Sequence, residues 1–289
     1  TPDGETARAA ADVVHRAGLE AKKKGNEAEA FRYFFEAARL GHPPAAYEIA
    51  AAYAEGRGTA RDPQAAARWM MRGAEMGDPR AQYHLGIAYE TGIGVSRDDA
   101  RARALFEKAA EQDHAQAQKR LGDIYAAGRG VPRNPIWAAR WYGRAAAHGL
   151  PEAQHAYGMA FAKGIGLPAD PATGYRWILL AARAGYRPAR DILPNLARRL
   201  PPEDIHAAEI WADEFTPRIR LPVPDPPTVM YVQQILGALG YEVGPVDGRA
   251  DARTRAAIRE YQRDAGLPET GLISRRLIRH LLAQQASNT

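Results

Sequence analysis

Residues 61–95 read RDPQAAARWMMRGAEMGDPRAQYHLGIAYETGIGV. The stretch predicts two helices and the turn between them. Asp62 is an N-cap acceptor, and Pro63 suits the first helical position, where a missing N–H costs nothing. Ala66, Trp69, Gly73 and Ala74 then recur at three- and four-residue spacing and form one buried face. Gly77 ends that helix, since a C-terminal residue at positive φ favours glycine. Asp78 and Pro79 start the second helix, whose face is Ala81, Leu85, Gly86 and Tyr89. Gly92 and Gly94 make the return loop. Small residues at a helix crossing let two backbones approach closely.

The same arrangement repeats every 36 residues. Gly56, Gly92, Gly128 and Gly164 fall in one column, and Gly58, Gly94, Gly130 and Gly166 in another. Tyr53, Tyr89, Tyr125 and Phe161 form an aromatic column. Small columns run Ala38, Ala74, Ala110, Ala146, Ala182 and Ala45, Ala81, Ala117, Ala153, Ala189. A bulky column runs Tyr33, Trp69, Leu105, Trp141, Trp177, and a helix-start column Asn26, Asp62, Asp98, Asn134, Asp170. No insertion breaks the register, so the chain is a repeat array in which each helix pair needs its neighbours to bury a core.

LGIAYETGIGVSRD (residues 85–98) and LGDIYAAGRGVPRN (residues 121–134), with paired alanines before the first-helix end, resemble the Sel-one-like repeat, a relative of the tetratricopeptide repeat. The resemblance implies an all-α, right-handed α/α superhelical solenoid with a concave, protein-binding surface. Three places depart from the pattern. Ala50 replaces the second-helix glycine of the first unit. Gln112-Asp113-His114 stands where a helix-ending glycine is usual. Pro194 falls inside the last second helix, where it is expected to kink or break it. Solenoid ends need caps. We expect a capping helix within residues 1–25, the solenoid at 26–215 and its C-terminal cap at 203–215.

TPRIRLPVPDPPT, residues 216–228, has five prolines and is expected to be an extended, stiff linker. It either sets a fixed spacing between two modules or packs back on the repeats. Residues 229–289 leave the 36-residue register and predict three short helices. VMYVQQILGALGY places Val232, Ile235, Leu236 and Leu239 on one face. EVGPVDG is a loop, and ARTRAAIREYQRDAG is a helix with Ala257, Ile258 and Tyr261 inside. LPETG is a turn before the closing helix, LISRRLIRHLL.

The order VQQILGALGY, VDG, TRAAIREYQRDAGLPETG resembles the small peptidoglycan-binding domain carried by many bacterial wall proteins. Carried over residue by residue, Asp247, Arg249, Arg253, Thr254 and Gln262 are the candidate ligand residues beside a shallow groove. Ala250, Asp251 and Ala252 replace the aromatic-Gly-Pro common in the family. Two of the five also have structural readings. Asp247 can close the Gly248 turn, and Thr254 can cap or pack at a helix start.

Composition narrows the chemistry. The chain has 289 residues and a net charge of +5, from 39 basic and 34 acidic side chains. Four arginines crowd DGRADARTRAAIREYQ (residues 247–262), yet residues 229–289 hold eight arginines against six acids. That interspersed balance argues against a nucleic-acid surface. The absence of cysteine removes thiolate nucleophiles and cysteine-bound zinc. The eight histidines form no HExxH, and no P-loop or GxSxG occurs. Neither metal nor cofactor is expected, and no catalysis. The opening TPDGETARAA lacks the basic and apolar segments of a signal peptide. No apolar run approaches the roughly 20 residues of a membrane span.

For the repeats, residues outside the columns are the better candidates for partner contact: Arg68, Arg72, Trp137, Arg140, Tyr142 and Arg144. Arg68/Arg72 and Arg140/Arg144 each lie one turn apart on a first helix. They form either a basic stripe for an acidic partner or solvated charge that keeps the array soluble. The two resemblances together imply a non-enzymatic, periplasmic or secreted envelope adaptor. Its repeats would hold a protein and its C-terminal domain peptidoglycan, as in the periplasmic region of some localisation factors. The alternative is an accessory subunit presenting wall substrate to a separate peptidoglycan hydrolase or synthase.

Overall fold

A computed structural model describes residues 2–217 and 226–287, and the regular structure in them is helical. The chain divides into two compact units, one ending at Ala117 and the other beginning at Gln118. The first holds α1 (Pro2–Lys23), α2 (Glu27–Arg39), α3 (Pro43–Glu55), α4 (Pro63–Glu75), α5 (Pro79–Thr91) and α6 (Asp99–Glu111). The second holds α7 (Ala115–Ala127) from Gln118 on, then α8 (Pro135–Ala147), α9 (Pro151–Lys163), α10 (Pro171–Arg183), α11 (Arg187–Ala197) and α12 (Pro202–Glu214). It also holds α13 (Pro226–Ala238), α14 (Ala252–Asp264) and α15 (Arg275–Ser287). Most of the proline-rich linker expected at 216–228 lies outside the described residues.

Paired helices stacked on their neighbours make the all-α solenoid that the period predicts, with a small helical domain after it. The helix-start column works as expected at four of its five positions. Asp62, Asp98, Asn134 and Asp170 accept from the backbone N–H groups of Ala65, Arg101, Trp137 and Thr173 at 2.9–3.0 Å. Each such cap is worth about 1 kcal/mol. Asn26 differs: it makes no capping bond, and its amide donates instead to Glu29.

The cap residues have a second task. The N–H groups of Asp62, Asp98, Asn134 and Asp170 donate to the carbonyls of Tyr53, Tyr89, Tyr125 and Phe161, each at 2.9 Å. A backbone bond thus ties the aromatic column to the next helix start across the glycine loop. At Gly94 the loop passes directly over the Pro63 carbonyl, where a Cβ would collide.

In four of the five units the deepest packing lies one residue beyond the bulky column read from sequence; in the other, Trp141 of the column is itself buried and Tyr142 is half-buried. Phe34, Met70, Phe106 and Ile178 are buried, whereas Tyr33 is 37 % exposed and Trp69, Leu105 and Trp177 are half-buried. The ring of Phe106 lies over Gly86, the ring of Tyr142 over Gly122 and the Ile178 side chain over Gly158. Where Ala50 replaces that glycine, the flexible Met70 packs in the same cluster.

Two other expectations are corrected. Pro194 does not break its helix: α11 continues to Ala197, and the Pro194 carbonyl accepts from Arg198 N–H at 3.3 Å. Three residues from the helix end, the proline's missing N–H leaves only a single bond unmade. Leu239 does not join Val232, Ile235 and Leu236 in the core. It is 39 % exposed, because α13 ends at Ala238 and the chain turns away at Gly240, φ +93°.

Candidate functional site

The small domain is organised by two buried glutamines. Gln233 on α13 is 1 % exposed. Its Oε1 accepts from the N–H groups of Asp247 and Gly248 at 3.2 and 3.0 Å. Its Nε2 donates to the Arg249 carbonyl at 3.1 Å and the Thr254 hydroxyl at 3.0 Å. Gln262 on α14 does the same for the next loop. Its Oε1 accepts from Thr270 and Gly271 N–H, both at 2.9 Å, and its Nε2 donates to Thr270 Oγ1 at 3.1 Å. A side-chain amide has two donors and an acceptor with two lone pairs, which is what a loop needs to hang from one residue.

The five C-terminal candidates separate accordingly. Thr254 and Gln262 are buried and spend their hydrogen bonds inside the domain. Asp247 closes its turn by accepting from Arg249 N–H at 2.9 Å. Arg249 and Arg253 are exposed. Arg253 lines an open groove of about 750 Å³ with Tyr241, Glu242, Val243, Ala257 and Glu260. The Tyr241 hydroxyl donates to Asp264 Oδ2 at 2.8 Å. Burial and that bond push its phenol up to about 12. The groove therefore offers an aromatic wall, one cation and two carboxylates. Asp251, in the segment that departs from the family, caps α14 by accepting from Thr254 N–H at 2.8 Å.

The repeat candidates also separate. Trp137 is 3 % exposed, and its ring lies 4.4 Å from that of Tyr231 on α13. Arg140 sits over Trp137 and Trp141 at 4.5 and 4.6 Å and donates from Nε to Thr228 Oγ1 at 2.7 Å. Met230 joins the apolar cluster of Ala139, Tyr157 and Leu167. The first helix of the small domain is thus docked on α8 of the repeats. Tyr142, packed over Gly122, donates to Asp123 Oδ1 at 3.0 Å, and burial pushes its phenol well above its ordinary value. Arg144 covers Trp141 at 5.1 Å. On α4, Arg68 and Arg72 are exposed, and Arg72 lies 5.2 Å over Trp69.

Neither the role of Gln233 nor the pairing of α8 with α13 is legible in the sequence, although Gln262, Trp137 and Arg140 stand among its candidates. Either glutamine of VQQIL resembles a surface residue, and Arg140 and Thr228 are 88 positions apart. Among the described residues, no three His, Cys, Asp or Glu side chains are grouped to hold a metal, and no helix is long and apolar enough to cross a membrane.

A stack of helix pairs carrying a small three-helix domain with a polar groove defines a repeat scaffold joined to a binding module. Comparison with known proteins gives both parts a family. The Sel1 repeat model matches five consecutive segments, 7–42, 43–78, 79–114, 115–150 and 151–186, and the peptidoglycan binding domain model matches residues 225–281. The chain belongs to the Sel1 repeat family. A Sel1 repeat protein from Oxalobacter formigenes is similar at 35 % identity and a TM-score of 0.57, over 59 % of this chain and 49 % of that one. The protective antigen c5321 of uropathogenic Escherichia coli shares the fold at 22 % identity and a TM-score of 0.54, over 89 % of this chain and 61 % of the antigen. The localization factor PodJL of Caulobacter vibrioides is 35 % identical over 111 residues, which are 35 % of this chain and only 11 % of that protein. Both families are non-catalytic: Sel1 repeats mediate protein–protein contacts, and the C-terminal domain family binds peptidoglycan. The chain thus joins a Sel1 repeat array to a domain of the peptidoglycan-binding family, and it spans only part of the length of the relatives it matches.

Proposed function

We propose that this chain works outside the cytoplasmic membrane as an envelope adaptor that fixes a protein partner to the cell wall, in the manner of the periplasmic part of a localisation factor. The observation that carries the reading is the α8–α13 contact. Trp137, Arg140, Thr228, Met230 and Tyr231 join the wall-binding module to the repeats by packing as well as by the chain. A docked module transmits position, whereas a tethered one supplies only proximity.

In this reading the wall ligand lies in the groove beside α14. Tyr241 offers a face for a sugar ring, Arg253 meets a stem-peptide or lactyl carboxylate, and Glu242 and Glu260 accept from hydroxyl and amide groups. Asp247 and Arg249 stand in the turn that Gln233 holds, outside the lining of this groove, and Asp247 acts by closing that turn. Thr254 and Gln262 act by shaping the loops. Similarity to a protein named a localization factor supports the reading over a limited part of both chains.

Cosedimentation of the full chain with purified peptidoglycan sacculi tests it. The chain is expected in the pellet. Arg253→Glu should weaken binding by about tenfold, equivalent to about 1.4 kcal/mol. A chain that stays in the supernatant, or pellets equally well with Glu at 253 and Ala at 241, refutes the groove assignment.

A further inference from the structure

The repeat register places two first helices in direct comparison. Arg68, Trp69 and Arg72 of α4 stand two periods before Arg140, Trp141 and Arg144 of α8. On α8 the trio is covered: Trp141 is 5 % exposed, and Arg140 is engaged by Thr228 on a docked helix. On α4 the two arginines are open and Trp69 is half-buried. The Arg68 side chain is 66 % exposed, with only a 3.9 Å contact to Asp62, and Arg72 is exposed above Trp69. Beside them Phe35, 39 % exposed, meets the Trp69 ring at 5.4 Å. An aromatic patch flanked by two exposed cations thus stands where, two repeats later, the chain seats a helix of its own.

We infer that the Phe35–Arg68–Trp69–Arg72 face of α4 is a docking site for an amphipathic helix of a partner protein, one carrying an aromatic residue and at least one carboxylate. The α8–α13 contact supplies the occupant's chemistry. There the Thr228 hydroxyl on a helix meets Arg140, the counterpart of Arg68, while the Tyr231 ring meets Trp137, whose counterpart on α4 is Ala65; at α4 the aromatic contact would fall to Trp69 and Phe35 instead. At α4 two arginines are exposed, so carboxylates in place of the Thr228 hydroxyl complement the charge. Aromatic anchors and arginines beside them are the residue types that dominate binding energy at interfaces.

The inference rests on the adaptor reading only in assigning a protein to the repeats, and its test is independent of the wall. The probe is a stapled, fluorescein-labelled peptide of residues 226–238 with Thr228→Glu. The staple is needed because a helix this short is marginal in water. Fluorescence anisotropy with the full chain should give saturable binding below about 100 μM. Arg68→Glu with Arg72→Glu should weaken it at least tenfold, and Trp69→Ala by a similar factor. Arg187→Glu, at an exposed arginine on α11, should leave it within twofold. No saturable binding, or equal loss from Arg187→Glu, overturns the site. Sedimentation of the chain alone supplies another check. Self-association that vanishes with Arg68→Glu and Arg72→Glu would make the occupant a second copy and overturn the partner assignment. Failure to pellet with sacculi would sink the wall reading and leave the peptide result standing.

Discussion

In the repeats, the loop after each helix pair is tied by backbone: Asp62 N–H to Tyr53 O, Asp98 N–H to Tyr89 O, Asn134 N–H to Tyr125 O and Asp170 N–H to Phe161 O. In the C-terminal domain, the loops hang from side chains, Gln233 for residues 247–249 and Gln262 for residues 270–272. A backbone tie is nearly indifferent to residue type, so the repeat loop accepts Arg57, Ile93, Arg129 or Ile165 at one position. A side-chain hub is lost by one substitution. The repeat part of the molecule is therefore robust in its loops and exacting where small residues let helices touch. The small domain is exacting in its loops.

The largest expected effect breaks the hub. Gln233→Leu keeps the volume but leaves the part-buried N–H groups of Asp247 and Gly248 without their acceptor and the buried Thr254 hydroxyl without its donor. A buried donor stripped of its partner costs about 1–3 kcal/mol, so the domain should lose roughly 3 kcal/mol. Hydrogen-exchange mass spectrometry reads this directly. Peptides covering 243–262 should exchange faster, while those covering 63–111 do not change. Unaltered protection across 243–262 would mean that the loop is held by something other than Gln233.

A second substitution tests the repeats at a crossing where backbone meets backbone. A methyl group on Gly158 would lie 2.6 Å from Ile178 Cγ1 and 2.7 Å from the Gly174 carbonyl oxygen. Alanine gains up to about 1 kcal/mol of helix propensity over glycine, and overpacking against backbone costs about 1–3 kcal/mol. Gly158→Ala should therefore destabilise the second unit by roughly 1–2 kcal/mol, seen as a lower urea midpoint. Ala50, at the equivalent place in the first unit, is tolerated because its neighbour is the flexible Met70. A gain in stability from Gly158→Ala would show that α9 and α10 can part without cost.

These contrasts also explain what could be read in advance. The helix pairs, four caps and the glycine loops are legible because each rests on local chemistry repeated at least four times. The deep residues Phe34, Met70, Phe106 and Ile178 are not legible in the period, because their neighbours Tyr33, Trp69, Leu105 and Trp177 are equally bulky and a 36-residue period cannot choose between adjacent positions; in the fourth unit the column residue Trp141 is the buried one. Tyr142, a candidate contact residue, packs its ring over Gly122. In the small domain the core triad Ala257, Ile258 and Tyr261 was legible from helical spacing, and all three are buried. The glutamine clasps were not, since an amide gives no periodic signal and its partners lie on another element. Trp137 and Arg140 were singled out as odd residues on a repeating surface, and the oddity has a physical cause: they receive α13.

The smallest effect concerns a single backbone angle. After each first helix the chain turns through the left-handed region at Gly41, Gly77, Asp113, Gly149 and Gly185, with φ of +84°, +90°, +64°, +84° and +86°. Asp113 is the sole non-glycine at positive φ among the described residues. An L-residue there loses roughly 1–2 kcal/mol to Cβ–carbonyl crowding, and aspartate loses less than most because its short side chain bonds locally. Asp113→Gly should accordingly stabilise the first unit by about 0.5–1 kcal/mol, after subtracting the greater freedom of glycine in the unfolded chain. Asp113→Ala supplies the control, because alanine keeps the Cβ and removes the local hydrogen bonding. Urea midpoints in the order Gly above Asp above Ala would establish that backbone strain sets the cost. If Ala matched Gly, the angle would carry no strain, and the four glycines of the column would be there for close packing alone.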